Sequence, residues 1–348
     1  MHPIARFAAA CRSEPVDRPP VWLMRQAGRY MASYQAVRSR YSFMDLCRTP
    51  EVACEVTMQP INELGVDAAI LFSDILVPLE PMGVSVGFEK GPVVEPAVRS
   101  VAAIDALRSE GVADEVPYVY EAVRMIRREL GGRLPLLGFA GSPWTLASYL
   151  IEGGSSRNLH ELKHLMYAEP AALGRLLDKL TDVVIAYLGH QIDAGVDAVQ
   201  VFDSWGGVLD ATTWRATSGR TLKRIVDALA PTGVPVLLYV HAGPHLLDAL
   251  AELGATGLSV DWRLPLSEVR RRVGPKVALQ GNVDPAILRA PVPVIRQAVA
   301  DCLASHGRGP GHIMNLGHGI TPDATVAAAR AFVEAAQELG VGYGGGLA

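Results

Sequence analysis

The sequence predicts an α/β fold built as a single (β/α)8 barrel, and three observations carry that expectation. Eight short apolar runs recur along the chain with helix-length amphipathic stretches between them, the pattern of βα units around a parallel sheet. Each run is followed at once by polar or flexible residues, so candidate chemistry collects at one end of the strands, where a barrel builds its active site. The glycine-rich dinucleotide fingerprint that a doubly wound open sheet carries after its first strand is absent.

In chain order the runs are residues 21–24, 68–72, 134–139, 198–202, 236–240, 257–260, 277–279 and 312–316. They exit into Arg25, Asp74, Gly141-Ser142, Asp203-Ser204, His241, Asp261, Gln280-Gly281-Asn282 and Gly317-His318. Residues 50–64, 114–130, 170–194, 267–273 and 322–339 read as helices, several with proline at or near the first turn. Residues 84–95 alternate apolar and polar around Glu89-Lys90-Gly91. That pattern predicts a hairpin inserted after the second βα unit, as a rim or a partner contact. Beyond a barrel proper of 20–339, residues 340–348 are so rich in glycine that a flexible tail is expected. No linker and no repeat other than the βα alternation divides the chain, so residues 1–348 read as one domain.

Composition narrows the function classes. With 348 residues, 49% of them hydrophobic and 20% charged, the chain can bury a large core and is unlike a disordered sequence. A net charge of −4 gives no global attraction to nucleic acid or to anionic membranes, so an acidic ligand would need its own basic pocket. Cys11, Cys47, Cys54 and Cys302 are scattered without a CxxC pair, and residues 1–20 lack a basic region followed by a long apolar stretch. Both features predict a reduced, cytoplasmic protein. No uninterrupted apolar run approaches the roughly 20 residues of a membrane span.

The loops at the strand exits hold the candidate site. Arg25 and Arg29 stand four apart in Met24-Arg25-Gln26-Ala27-Gly28-Arg29-Tyr30. If the strand turned into a helix at Met24, that spacing of about one turn would aim both guanidiniums one way, as an anion clamp. Arginine is also the default cation here, 27 against five lysines, so this segment alone supports a solvated turn equally well. Asp74 could cap a helix, but Pro78 would fall at that helix's fourth position. A carboxylate pointing into the barrel mouth is the better reading. Ser204, in Asp203-Ser204-Trp205-Gly206-Gly207, occupies a loop whose backbone can approach a ligand, although a structural turn accounts for it alone. His318 lies between two glycines, with little to pack against, before a candidate Thr321 cap and Pro322 at the first helical position. Tyr149 lies about a turn and a half into the element after the third strand, where alone it reads as an ordinary buried tyrosine. His241 and His245 have metal-like spacing, but Gly243 and Pro244 break the helix that would align them.

Five ordered stretches carry a specific resemblance from about residue 20 to 339. They are Pro20-Val21-Trp22-Leu23-Met24-Arg25-Gln26-Ala27-Gly28-Arg29-Tyr30, Phe72-Ser73-Asp74-Ile75-Leu76, Gly138-Phe139-Ala140-Gly141-Ser142-Pro143-Trp144-Thr145-Leu146, Gln280-Gly281-Asn282-Val283-Asp284-Pro285 and Asn315-Leu316-Gly317-His318-Gly319. Together they resemble the motifs of the uroporphyrinogen decarboxylases. The resemblance implies a cofactor-independent, metal-free (β/α)8 barrel, typically a homodimer. Its reaction would remove four acetate carboxyls from uroporphyrinogen III to give coproporphyrinogen III in haem biosynthesis.

It further implies that Asp74 accepts pyrrole N–H groups and stabilises a pyrrole cation, and that Arg25 and Arg29 bind substrate carboxylates. Gln26, Ala27 and Gly28 would line the same turn. Tyr149, Ser204 and His318 match the other substrate-contacting polar positions, and Arg38 is a further carboxylate contact. Arg25, Tyr149 and an ordered water all stand as donors of the first proton. Trp205 replaces a histidine found in some members and is expected as pocket wall.

Two alternatives compete with that reading. A related corrinoid-linked methyltransferase group shares the barrel and binds zinc through a His-x-Cys pair, but here the run reads His241-Ala242-Gly243, and glycine cannot ligate. A non-catalytic tetrapyrrole carrier would have less use for a carboxylate at position 74.

Overall fold

A computed structural model of the chain describes residues 1–88 and 91–346. Among them run the strands β1 (Ala69–Ile70), β2 (Ser85–Gly87), β3 (Val93–Glu95), β4 (Leu136–Gly141), β5 (Ala198–Asp203), β6 (Val236–Val240), β7 (Gly257–Ser259), β8 (Ala278–Gln280) and β9 (His312–Ile313). One parallel sheet takes β1 and then β4 to β9 in sequential order, with Ile70 opposite Leu137, Val199 opposite Val236 and Leu279 opposite His312. Strands covered on both faces need near-continuous apolar sequence. All of β4 and β6 is indeed buried.

The eighth stave closes the sheet. Val21 forms a parallel bridge with Met314; Met314 N–H donates to Pro20 O (2.8 Å), and Asp67 N–H donates to Val21 O (2.7 Å). The first apolar run thus lies between the ends of the open sheet, beside β1 and β9. It is an extended segment joined by a few bonds rather than a full ladder. All eight runs become staves, and several shorten because their last residues turn into the exit loops.

One mouth of the barrel is filled by the protein itself. The helix Pro3–Cys11 packs Phe7, Ala10 and Cys11 with Trp22, Ala68, Leu137, Ala198 and Leu237 near the strands' amino ends. Only the carboxyl ends remain for a ligand. Inside, Trp22 Nε1–H donates to Gln280 Oε1 (2.9 Å), and Gln280 Nε2 donates to Gln200 Oε1 (2.8 Å) and Ser259 Oγ (2.9 Å). The motif glutamine at 280 therefore ties three other staves to its own.

Among the surrounding helices, Pro50–Leu64 and Pro170–Ala194 match their expected bounds, and Leu266–Val273 begins one residue early. Two others differ. The helix expected at 114–130 starts at Pro117, behind a short 3-10 turn. The last helix is Val326–Leu339, capped by Thr325, whose hydroxyl accepts Ala328 N–H (3.1 Å), and not by Thr321 with Pro322. β2 and β3 pair antiparallel, Val86 opposite Val94, and Val93 bridges to Gly154 in the loop after the third unit. Residues 89–90 of the expected turn lie outside the described residues.

The described part of the glycine-rich tail lies on the body of the barrel. Val16 N–H donates to Gly344 O (2.8 Å), Gly342 N–H donates to Asp17 O (3.3 Å), and Arg308 lies 4.9 Å over the Tyr343 ring. Glycines that looked unable to pack allow this backbone to lie directly on Val16.

Asp67 clasps the closing segment. Its carboxylate accepts Arg18 Nη1 (2.5 Å) and Nη2 (2.7 Å) and Val21 N–H (2.9 Å), with side chains only 6% and 15% exposed for Asp67 and Arg18. Removing one member of a buried pair costs about 3–5 kcal/mol. Asp67→Ala is expected to lower the urea midpoint by a matching amount; an unchanged midpoint would show that closure does not depend on this clasp.

Candidate active site

A cleft of about 920 Å³ opens at the carboxyl ends of the staves, toward the upper end of the volumes that hold small ligands. Ile70, Phe72, Phe139 and Phe202 give it apolar surface. Arg25, Gln26, Ala27, Gly28, Arg29, Arg38, Asp74, Tyr149, Ser204 and His318 all line it. These ten residues are thus brought to one cavity, although some arrive there differently than expected.

The first exit is a loop and not a helix. Gln26 N–H donates to Leu23 O (3.0 Å) and Met31 N–H to Gly28 O (3.0 Å), and a helix begins only at Ala32–Arg38. Arg25 takes a left-handed φ of 59°, which costs a non-glycine residue on the order of 1–3 kcal/mol. That conformation lays its side chain over Gly319, where an added Cβ would lie 2.5 Å from Arg25 Cδ. One-turn spacing is therefore not what brings Arg25 and Arg29 together; the folded loop does it. Both are exposed, and neither pairs with a carboxylate among the described residues. Arg38 sits at the end of the following helix with Nη1 on Tyr41 O (2.6 Å).

Gln26 lines the turn and also holds it in place. Its side chain is buried, with Oε1 accepting Leu23 N–H (3.2 Å) and Nε2 donating to Ala68 O (3.2 Å). It pins the loop to the stave ahead of β1. From the other side, Asn315 Oδ1 accepts Met24 N–H (3.1 Å), and Ile320 N–H donates to Met24 O (2.9 Å). The first and last exit loops are laced together, which sets Arg25 beside the His318 loop.

Asp74 follows β1. One carboxylate oxygen accepts Leu76 N–H (2.8 Å), closing a tight turn ahead of the 3-10 segment Val77–Met82 that carries Pro78 and Pro81. Proline thus excludes a regular helix at this exit, as expected, while Oδ2 makes no hydrogen bond among the described residues. Burial lifts the Asp74 pKa to about 6, against the opposing pull of the Leu76 N–H and the Arg25 charge. Tyr149, on the helix Pro143–Glu152, is also pushed up by burial, with the Asp74 charge adding to the rise. Ser204 lines the cleft beyond β5, whereas Trp205, expected as wall, is absent from the lining. Trp205 instead accepts Trp144 Nε1–H on its carbonyl (3.2 Å).

His318 is more firmly held than two flanking glycines led one to expect. Nδ1 lies 2.9 Å from the Tyr239 hydroxyl, and the ring stacks on His241 at 4.8 Å. Burial, followed by Arg25, His241 and Arg263, depresses its pKa to about 3, so the ring is neutral at physiological pH. His241 Nδ1 meets the same hydroxyl, while His245 Nε2 meets Leu209 O (2.7 Å). These two histidines form no pair, as the helix-breaking Gly243 and Pro244 between them led one to expect. Among the described residues no group of three His, Cys, Asp or Glu side chains could hold a metal.

Sequence reasoning missed Tyr239 as a member of the lining. The signal was present: in the run 236–240 the alternate positions Leu237 and Tyr239 both face the barrel interior. It also gave no role to Asp203, a fully buried carboxyl whose oxygens accept Ser142, Ser218, Thr145 and Trp214 donors at 2.7–3.2 Å. That cage fixes the floor of the Ser204 loop.

The family model described as Uroporphyrinogen decarboxylase (URO-D) matches residues 2–339. The chain belongs to the uroporphyrinogen decarboxylase family. It is 50% identical over 345 residues to the uroporphyrinogen decarboxylase of Hahella chejuensis, covering 97% of both chains. The Pseudomonas aeruginosa protein of the same name is 49% identical over 348 residues, with 98% of each covered. Among solved structures, a methyltransferase from Methanosarcina mazei superposes with a TM-score of 0.82 at 22% identity, over 97% of this chain and 99% of that one. A B12-independent methionine synthase from Shewanella gives 0.57 at 12% identity, over 84% and 86% of the two chains. Those two likenesses establish the barrel fold alone; the family rests on the sequence relatives. The substrates of this family are tetrapyrroles, and among the described residues no helix is long and apolar enough to cross a membrane.

The raised Asp74 pKa fixes a sign for stability. Because the native value lies above the ordinary carboxyl value of about 3.9, the folded state holds the Asp74 proton more tightly than the unfolded chain. Ionised Asp74 therefore costs stability above pH about 6, and that cost disappears below pH about 4. Asp74→Asn is expected to have a higher urea midpoint than the parent at neutral pH and the same midpoint near pH 4. A lower midpoint at neutral pH would contradict the burial.

Proposed function

We propose that this cleft removes the four acetate carboxyls of uroporphyrinogen III to give coproporphyrinogen III, with Asp74 and the first-loop arginines in the central roles. The observation that carries the assignment is a desolvated carboxyl, Asp74, sharing an apolar-walled cavity with Arg25, Arg29 and Arg38 in a member of this family. A macrocycle with eight carboxylates needs cations at its edge, and a pyrrole that becomes cationic needs an anion near its nitrogens.

The chemistry requires no external electron sink. A proton added to the pyrrole carbon next to the acetate-bearing position makes the ring cationic. The carbon–carboxylate bond then breaks, CO2 leaves, and its electron pair neutralises the ring and leaves an exocyclic methylene. A second proton converts the methylene to methyl, and loss of the first restores the pyrrole. Each cycle consumes one proton net and releases one CO2. Asp74, ionised at neutral pH, accepts pyrrole N–H groups and stabilises the cation, where a preorganised charge acts in a water-poor site. The guanidiniums hold the acidic periphery by charge-assisted hydrogen bonds and fix which ring meets Asp74. Tyr149, neutral, and Ser204 and His318 complete the polar wall.

The zinc methyltransferase alternative shares the fold but lacks the ligand, since position 243 is glycine and His245 is bonded to Leu209 O. A carrier without turnover has no use for a carboxyl held in an unfavourable setting. We place the protein in the cytoplasm, as a one-domain barrel working as a homodimer without metal or cofactor, on the family resemblance and on four buried, unpaired cysteines.

Anaerobic incubation with uroporphyrinogen III, followed by mass, is expected to show four successive losses of CO2; an unchanged substrate would overturn the proposal. Asp74→Asn is expected to lose on the order of 10²-fold in kcat, and full turnover would remove Asp74 from its role. For the parent, kcat/KM is expected to fall below pH about 6 as Asp74 takes up its proton; a flat profile from pH 5 to 7 would count against an ionised Asp74. Arg29→Ala is expected to raise KM by about tenfold or more, from the loss of a charged hydrogen bond. An unchanged KM would remove Arg29 from the grip.

A further inference from the structure

Tyr239 lies in β6, fully buried, with its hydroxyl at a junction of three groups: Gly317 O at 3.1 Å, His318 Nδ1 at 2.9 Å and His241 Nδ1 at 3.1 Å. A phenol has one proton to give and two lone pairs to receive with. A carbonyl can only accept, so the hydroxyl proton goes to Gly317 O. The two remaining contacts are then satisfied only if both imidazoles donate from Nδ1. Each neutral ring carries its single proton on Nδ1, and Nε2 is left as a bare acceptor.

The ring of His318 has no freedom to escape that arrangement. It stacks on His241 at 4.8 Å and lies nearly parallel to Tyr239, 10° apart with centroids at 5.9 Å. Its backbone is confined on both sides. A Cβ at Gly317 would lie 2.7 Å from Trp262 N, and one at Gly319 would lie 2.5 Å from Arg25 Cδ. His318 Nε2 makes no hydrogen bond among the described residues, while the residue lines the cleft.

We infer that Tyr239 is a positioning residue that locks His318 as its Nδ1–H tautomer, so that Nε2 faces the substrate as a neutral hydrogen-bond acceptor. The cleft then sorts the polar groups of its ligand. Substrate carboxylates find donors at Arg25, Arg29 and Arg38, and a bare imidazole nitrogen is a poor neighbour for them. An N–H or O–H of the substrate finds acceptors at Asp74 and His318. The inference deepens the decarboxylase reading, and its kinetic part rests on that reading, whereas the tautomer does not.

Long-range 1H–15N spectra of the full chain with 15N-labelled histidine separate the two. His318→Asn and His241→Asn assign the signals. At neutral pH His318 and His241 are expected to show a protonated Nδ1 and a bare Nε2; a protonated Nε2 on His318 overturns the inference outright. In Tyr239→Phe, His318 is expected to move toward the Nε2–H form, and kcat/KM for uroporphyrinogen to fall about tenfold, the scale of one hydrogen bond. Parent-like spectrum and activity in that variant also overturn it. If the variant does not fold, the parent spectrum decides alone. Nδ1–H tautomers in a chain that leaves uroporphyrinogen untouched would sink the decarboxylase reading and leave the tautomer lock standing.

Discussion

The site depends on how the barrel closes. A curled sheet of seven strands leaves one gap, and the extended segment after Pro20 fills it with few bonds of its own. Closure is then completed by side chains: Asp67 clasps Val21 and Arg18 at one end, and Asn315 takes the Met24 N–H at the other. Because the last stave and the first are neighbours, their exit loops meet. Arg25 lies across Gly319, and His318 comes to the same wall of the cleft. A chain that is 291 residues apart in sequence at Met24 and Asn315 is brought to one hydrogen bond there.

That geometry gives the cleft its electrostatic character. The protein as a whole carries a net charge of −4, so attraction for a polyanion has to be local. On the proposed reading Arg25 and Arg29 supply it, both lining the cleft without carboxylate partners of their own among the described residues. Asp74 is the counterweight, an acid whose burial makes its charge costly. His318, kept neutral by burial and by the nearby cations, adds a polar group without adding charge. Under the proposed mechanism, the stability given up at Asp74 is recovered by a reaction that generates positive charge.

Much of this was legible because it is periodic or local. The eight apolar runs became eight staves, and the exit residues Arg25, Asp74, Ser204 and His318 reached the cleft, because a parallel barrel puts all carboxyl ends on one side. Proline at position 78 correctly excluded a regular helix behind Asp74. What the sequence concealed depends on contacts between distant segments. The one-turn spacing of Arg25 and Arg29 pointed to a helix, whereas Gln26, bonded to Leu23 and Ala68, folds that stretch into a loop. Thr321 and Pro322 look like a helix start, but Thr325 is the cap. The glycines of the carboxyl-terminal tail read as slack, yet their lack of side chains lets them lie on Val16. Tyr239 was passed over because the partners of its hydroxyl, His241, Gly317 and His318, come together only in the folded chain.

The central claim is that a carboxylate at position 74 lies under the macrocycle's nitrogens while guanidiniums from the first loop grip its acidic edge. A crystal structure of the chain with bound coproporphyrinogen, prepared anaerobically, tests it most directly. Asp74 oxygens are expected within hydrogen-bond reach of the pyrrole nitrogens, with Arg25 or Arg29 on the peripheral carboxylates. A macrocycle bound with its nitrogens turned away from Asp74, or outside this cleft, would contradict it.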